Sequence, residues 1–452
     1  MKKLIVWLLT LTLLVTALLP LTASATAALP GDVNADGTVG SMDVTVLRRW
    51  LVGGYGINIV TPQGDSATPE DNELTVLLPS GSDVPMAVPA DVDGDGVIGV
   101  ADVTVLRRGI AGGYGVTFAE SETYSAVEID LKNDTTLYKT YGRTYMGDNG
   151  LQMLWPGNAI EFTAVLSGSV TLSYTSSDNG YLQSYVDGEA NTRARLFASS
   201  DEKKLVVAEN IQPGLHTVRI VRDNDIVTTA GSYTAWSAVS FTGVKSSVTA
   251  PQDKDLLIEY VGDSITSGKG VMSSAQYSGD DPNHSVTHAY SYVSAQTLDA
   301  DWVITSRGGA GFIRIGSCPK TMADMYDYVN PFDADSDLVE YGFAHKADVV
   351  VLALGTNDSV TGTEFIDAAK AMIQQIKDRN GDDTVIVVMY GMMTGSHYTE
   401  LAQAAAESGV YSLQVTRNND GGSSSPTGTG HPGIEGQAKV ADELVAFLET
   451  IL

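Results

Sequence analysis

Three rhythms of apolar and polar residues succeed one another along the chain. At the start, Lys2 and Lys3 precede an apolar run that ends in small residues, with A-x-A-like sites near Ala25 and Ala27. That layout predicts a secretory signal peptide over residues 1–27, an uncleaved membrane anchor being the alternative. No later stretch approaches the roughly 20 apolar residues of a membrane helix. From about Tyr124 to Ser247, short runs rich in Thr, Val, Tyr and Phe alternate with turn residues, as in NAIEFTAVLSG, SVTLSYTSSDNG and LHTVRIVRDND. This pattern predicts an all-β antiparallel sandwich of the jelly-roll kind over residues 119–248. After the linker-like SSVTAPQDKD, strands alternate with helices: LLIEYVG, WVITS and ADVVVLAL each empty into a polar or glycine-rich turn. A three-layer α/β domain with a parallel sheet is expected over residues 252–452. Its last helix, IEGQAKVADELVAFLETIL, carries Val440, Leu444, Phe447 and Leu448 at helical spacing.

Ahead of the sandwich one segment is written twice. DVNADGTVGSMDVTVLRRWLVGGYG starts at Asp32 and DVDGDGVIGVADVTVLRRGIAGGYG at Asp91. Each copy places oxygen donors at loop positions one, three and five, glycine at six and an acid at twelve, a spacing that suits calcium. The expected ligands are Asp32, Asn34, Asp36, the Thr38 carbonyl and Asp43 in the first loop. In the second they are Asp91, Asp93, Asp95, the Val97 carbonyl and Asp102. Pro30 and Pro89 oppose a helix entering either loop, which leaves only the exiting helix. Loop plus single helix, in tandem over residues 30–118, resembles a dockerin, a small all-α calcium-binding module. The resemblance implies two structural calcium ions and a cohesin of a scaffoldin protein as partner. Gly40 and Gly99 at loop position nine and the long spacer between copies depart from the dockerin pattern. Cohesin class stays open, because the pairs that often influence it are Ser41-Met42 and Val100-Ala101.

A formal charge of −28 disfavours nucleic acid and anionic membranes as partners. It suits calcium and neutral polymers such as polysaccharide, and equally an acidic surface kept for solubility. The single cysteine, Cys318, rules out an intramolecular disulfide in an exported chain, so stability falls to core burial and bound metal. Cys318 itself is expected as a buried structural thiol. Trp155, Trp236 and the tyrosines are expected in the core more than on a sugar-stacking platform.

The strand ends of the α/β part carry the candidate chemistry. LLIEYVG delivers Ser264 in GDSITSG, WVITS delivers the Gly308–Gly311 turn, and ADVVVLAL delivers Asn357 in GTNDS. His431 stands just before the last helix, in GTGHPGIEGQ. A serine hydroxyl becomes a useful nucleophile when an imidazole takes its proton. The oxyanion that follows needs fixed donors: the Ser264 N–H, a glycine N–H and the Asn357 amide. In this order the motifs GDSIT, GGAG, GTND and a C-terminal His match the SGNH hydrolases. Spacing in that family points to Gly309 as the second oxyanion donor.

GRTY, WPGNAIEF, YVDGE and GLHTVRIVRD, followed directly by IEYVGDSIT, resemble the family 2 carbohydrate esterases over about residues 124–452. The resemblance implies a jelly roll joined to a flavodoxin-like SGNH domain. It also implies a secreted acetylesterase acting on acetylated xylan, mannan or glucomannan, with no catalytic cofactor, no nucleic acid and no membrane partner. With the dockerin, it implies placement in a cellulosome. An SGNH lipase or thioesterase and a weakly active polysaccharide-binding module are the alternatives.

SGNH enzymes usually carry an aspartate three residues before the histidine; here that position is Gly428, behind Pro426 and Thr427. Three arrangements answer the gap. A Ser264–His431 dyad would lean on a main-chain carbonyl near Thr427 or Gly428, a remote acid such as Asp420 would fold back, or a weakened site would only bind sugar. Of the remaining histidines, His216 reads as a strand residue without a role. His284 and His288 are expected at the cleft rim, with metal binding disfavoured for want of a glutamate. His345 and His397 are expected exposed in polar connections.

Overall fold

The computed structural model describes residues 41–52, 58–60, 74–77, 87–88, 100–111, 124–226, 230–272, 282–313, 318–392, 397–416 and 431–452. The chain divides into two compact units, residues 1–124 with 212–215 and residues 125–211 with 216–452. Among the described residues no helix is long and apolar enough to cross a membrane.

In the first unit the described parts of the two copies of the repeat are alike. Their exiting helices span Ser41–Val52 and Val100–Ala111. Leu47 and Leu106, equivalent in the two copies, are both fully buried. Equivalent threonines, Thr45 and Thr104, donate their hydroxyls to the carbonyls of Ser41 and Val100 at 2.9 and 3.0 Å. Between the helices, Asn58–Val60, Leu74–Leu77 and Ala87–Val88 pair as a small antiparallel sheet. Asp43 is fully buried in the first turn of its helix. Asp32, Asn34, Asp36, Thr38, Asp91, Asp93, Asp95, Val97 and the Asp102 side chain lie outside the described residues.

The second unit opens with ten strands between Ser125 and Gly243 that hydrogen-bond into one sheet, with antiparallel ladders such as Ser125–Asp130 against Thr234–Gly243. The sequence predicts a two-sheet sandwich. The hydrogen bonding instead runs on without a break, because Ala159–Ser176 and Ser199–Arg222 extend over 18 and 24 residues. Register shifts between Trp236 and Ala238 and between Phe241 and Thr242 let the last strand bend. Inward side chains share one core, with Phe162 stacked on Phe241 at 5.5 Å. Trp155 and Trp236 are fully buried, so neither offers a face to sugar.

The rest of the unit is a parallel sheet of β1 (Leu257–Gly262), β2 (Asp301–Ser306), β3 (Val349–Ala353), β4 (Val385–Tyr390) and β5 (Tyr411–Gln414). Its order is β2-β1-β3-β4-β5, the flavodoxin-like arrangement. The strands read as apolar runs because helices cover both faces. These are α1 (Tyr290–Thr297), α2 (Met322–Tyr326), α3 (Thr363–Asn380), α4 (Tyr398–Ser408) and α5 (Ile434–Leu448). Val440, Leu444 and Leu448 of α5 pack in one core with Tyr290 of α1, while Phe365 and Ile373 of α3 pack with Leu401 of α4 in another. Register sets Gly262 beside both Ser306 and Ala353, so the chain leaves β1, β2 and β3 at one edge. Strand order reverses between β1 and β3, which opens a crevice at that edge.

One residue breaks the apolar run of β1. Glu259 is buried at its centre, and its carboxylate accepts from Arg143 Nη2, Thr305 Oγ1 and Tyr326 Oη, each at 2.7 Å. Arg143 comes from the β-rich part and is itself 1% exposed. Its other terminal nitrogen donates to the Tyr326 carbonyl, and aromatic rings of Tyr326 and Tyr341 lie 4.6 and 4.4 Å from the guanidinium carbon. Tyr141 stacks on Trp302 at 4.0 Å, and Trp302 Nε1 donates to the Gly157 carbonyl at 2.8 Å. The β-rich part and the α/β part therefore share a buried seam.

Candidate active site

The turn after β1 holds Ser264 in place through its backbone. Asp263 Oδ1 accepts from the Ile265 N–H at 2.9 Å, and the Ser264 carbonyl accepts from the Lys269 N–H at 2.8 Å. Gly262 makes the turn possible: a Cβ there would stand 1.9 Å from Thr266 Oγ1. Ser264 is 5% exposed, and its Oγ lies 2.8 Å from His431 Nε2. The structure thus joins two residues 167 positions apart in the chain. An imidazole nitrogen at that distance can accept the serine proton.

The turn after β2 carries Gly309 at the same edge of the sheet. Ala310 N–H closes it onto the Arg307 carbonyl at 3.0 Å, and Gly309 sits at φ +80°, a conformation glycine adopts without strain. Arg307 N–H in turn donates to the Gly262 carbonyl at 3.2 Å, fastening this turn to β1. Asp225, from the β-rich part, accepts from the Gly308 N–H at 2.9 Å.

Asn357 reaches the same crevice from β3, but its amide is already engaged. Nδ2 donates to Asp263 Oδ2 at 3.0 Å and to the Ala310 carbonyl at 2.9 Å. An amide has two hydrogens, so donation to a substrate oxyanion requires one of these bonds to open or be shared. The sequence reading cast Asn357 as an oxyanion donor; the structure shows it bridging the turns that follow β1 and β2.

Sequence reasoning missed three acids around this crevice. Asp263 is buried, which pushes its carboxyl up to about 7, and the charges of Asp358 and Asp225 push the same way. Burial also raises Asp358, whose carboxylate accepts from the Phe312 and Ile313 N–H groups at 3.1 and 2.7 Å. Asp263 and Asp358 stand inside the GDS and GTND motifs themselves, next to the residues that drew attention. Asp225 had only the acidic run VRDND as a signal. Among the described residues no group of three or more His, Cys, Asp or Glu side chains is placed to hold a metal.

His397 is a correction. It is 3% exposed, with Nε2 on the Asp358 carbonyl at 2.9 Å and its ring stacked on Phe365 at 4.0 Å, so it supports the Asn357 turn from below. His345 is exposed as expected. His284 is buried and outside the short helical turn Val286–His288, so the pair does not share a helix face. His216 lies in a strand, with Nδ1 2.6 Å from Asp187 Oδ2. Cys318 is buried. Residues 417–430, with Asp420 and Pro426–Gly428, lie outside the described residues. A cleft of about 650 Å³ opens at the other edge of the sheet, beside Leu257, Asp301 and Asp348, and contains neither Ser264 nor His431.

Known proteins resemble both parts of this unit. Residues 260–438 match the GDSL-like Lipase/Acylhydrolase family, and residues 140–244 match the Carbohydrate esterase 2 N-terminal family. The chain is 26% identical over 348 residues to the cellulase/esterase CelE of Acetivibrio thermocellus, covering 72% of this chain and 40% of that protein. It is 28% identical over 215 residues to an acetylxylan esterase / glucomannan deacetylase of Cellvibrio japonicus, covering 46% of this chain and 56% of that protein. The chain therefore spans about half the length of these two relatives. Among solved structures, a family two carbohydrate esterase from Cellvibrio japonicus superposes with TM-score 0.62 at 18% identity, over 73% of this chain and 98% of that one. One from Clostridium thermocellum in complex with cellohexaose gives TM-score 0.59 at 23% identity, over 69% and 98%. The acetyl xylan esterase Est2A of Butyrivibrio proteoclasticus gives 0.63 at 17%, over 72% and 98%. The chain is thus similar to family 2 carbohydrate esterases in its β-rich part and to GDSL-like acylhydrolases in its α/β part, and it shares the two-part fold of the solved esterases.

Proposed function

We propose that the chain removes O-acetyl groups from plant cell-wall polysaccharides such as acetylated xylan, mannan or glucomannan. The 2.8 Å contact between Ser264 Oγ and His431 Nε2, at the crevice between β1 and β3, carries this reading. Ser264 Oγ attacks the acetyl carbonyl while its proton passes to His431 Nε2. The tetrahedral oxyanion is met by the Ser264 and Gly309 N–H groups and by Asn357, once its bond to Ala310 yields. Collapse breaks the ester bond, and His431 returns the proton to the departing sugar hydroxyl, leaving acetyl-Ser264. Water, deprotonated by His431, then releases acetate. The side chains work as a dyad, with a main-chain carbonyl near Thr427 or Gly428 accepting from His431 Nδ1. No cofactor takes part.

The first unit, in this reading, is a dockerin that holds the enzyme in a secreted, cohesin-bound complex. Calcium would be bound by Asp32, Asn34, Asp36, Thr38 and Asp43, and by Asp91, Asp93, Asp95, Val97 and Asp102. Two observations fit that role: the repeated helices share their buried leucines, and Asp43 hides its carboxylate from water, which is costly unless donors or a cation meet it.

Acetate release from acetylated glucomannan and xylan tests the enzyme. Wild type is expected to release it, and Ser264→Ala to lose on the order of 10⁶-fold in kcat. Equal rates in the two proteins would sink the assignment, and sugar binding without any release would favour a binding module. Calcium should raise the melting temperature of wild type more than that of Asp36→Ala combined with Asp95→Ala.

A further inference from the structure

The apolar stripe of α5 contains one polar residue. Gln437 falls in line with Val440, Ala441, Leu444 and Leu448, yet it is 1% exposed. A buried amide must find partners for both its ends, and those it finds are specific. Nε2 donates to the Ile265 carbonyl at 3.0 Å, and Oε1 accepts from the Tyr290 N–H at 2.9 Å. Ile265 directly follows Ser264. Tyr290 opens α1, whose N-terminal orphan N–H would otherwise lack an acceptor. Gln437 itself lies in the first turn of the helix that His431 precedes.

We propose that Gln437 is a positioning residue for the Ser264–His431 pair, an inference that rests on the dyad reading above. The two reacting groups come from opposite ends of the domain, and each is held locally on its own segment. Ser264 is held by the Asp263 and Lys269 bonds of its turn, and His431 by the start of α5. Packing of Val440 and Leu444 against Tyr290 fixes the distance of α5 from α1 but tolerates sliding, since apolar contact is non-directional. Two directed hydrogen bonds from one side chain remove that freedom. They lock the first turn of α5 to the nucleophile turn on one side and to α1 on the other. Displacement of a reacting group by about 1 Å can cost on the order of 10²-fold in rate, so the lock acts on turnover more than on substrate affinity.

The test compares wild type, Gln437→Leu and Gln437→Glu, with Ser264→Ala as reference, using 4-nitrophenyl acetate turnover and the rate of Ser264 labelling by a fluorophosphonate. In Gln437→Leu, kcat and labelling should both fall about 10- to 100-fold while KM stays within twofold. Gln437→Glu keeps the acceptor for Tyr290 but can donate to Ile265 only when protonated. Its kcat, as a fraction of the wild-type value, should therefore rise as pH falls from about 8 to 6, because burial raises a carboxyl's pKa. A kcat within twofold of wild type in Gln437→Leu, or a flat ratio in Gln437→Glu, overturns the proposal while the dyad stands. Activity surviving in Ser264→Ala overturns the dyad reading beneath it.

Discussion

Strand β1 and the turn that follows it bury two acids four residues apart, and they live in opposite circumstances. Glu259, at mid-strand, faces a guanidinium, a tyrosine hydroxyl and a threonine hydroxyl, and is saturated. Asp263, just past the strand's end, faces the Asn357 amide, the Ile265 N–H, the Thr356 side chain and two further acids but no cation, and its carboxyl is pushed up to about 7. Both sites deny the carboxylate water. Only the first supplies a cation in return, so the first is structural and the second is a titrating group beside Ser264. A buried acid by itself points to neither role; its partners decide.

The largest test of that contrast removes the cation. Arg143→Met should leave Glu259 charged and unpaired, at a cost of roughly 3–5 kcal/mol in urea unfolding, and adding Glu259→Gln should restore part of it. A single variant as stable as wild type would mean that Glu259 is not held as a charge. Next comes the other acid. Between about pH 4 and 7 the folded state keeps a proton on Asp263 that the unfolded chain has released, so this group's stabilising contribution is present at low pH and lost as pH rises through 7. Asp263→Asn removes the titration. The stability gap between wild type and variant should therefore shift by about 2–3 kcal/mol across pH 5 to 7, wild type being favoured at the acid end. A constant gap would show that burial leaves Asp263 untouched. The smallest effect is expected for Tyr326→Phe, which deletes the hydrogen bond to Glu259 and the one accepted from the Asn380 amide, and should cost about 2 kcal/mol.

The difference also marks what the sequence could carry. The placement of Ser264, Gly309, Asn357 and His431 was legible because each follows a strand, or precedes a helix, that its own apolar pattern announces. Their neighbours were not, since those depend on partners far away in the chain. Glu259 and Arg143 are 116 residues apart, and Gln437 and Ile265 are 172 apart. Each nonetheless left a local trace, a charge inside the apolar run LLIEYVG and an amide on the apolar face of IEGQAKVADELV. A polar residue at a position that the pattern reserves for the core is an open question about a distant partner. Asn357 shows the converse. Its motif placed it correctly, but only the structure shows that Asp263 and Ala310 already hold its hydrogens.

Asp225 reaches from the β-rich part onto the Gly308 N–H, one residue from Gly309. With the Arg143–Glu259 pair, this bond makes the β-rich part an internal support of the strand and turns that carry Ser264 and Gly309. A gene that lent only its α/β half to a new fusion would hand over a turn without its brace and a carboxylate without its counter-ion. Successful rearrangements of such a chain, natural or engineered, should therefore break ahead of Ser125 and spare the junction near residue 250, so that the two parts are inherited together.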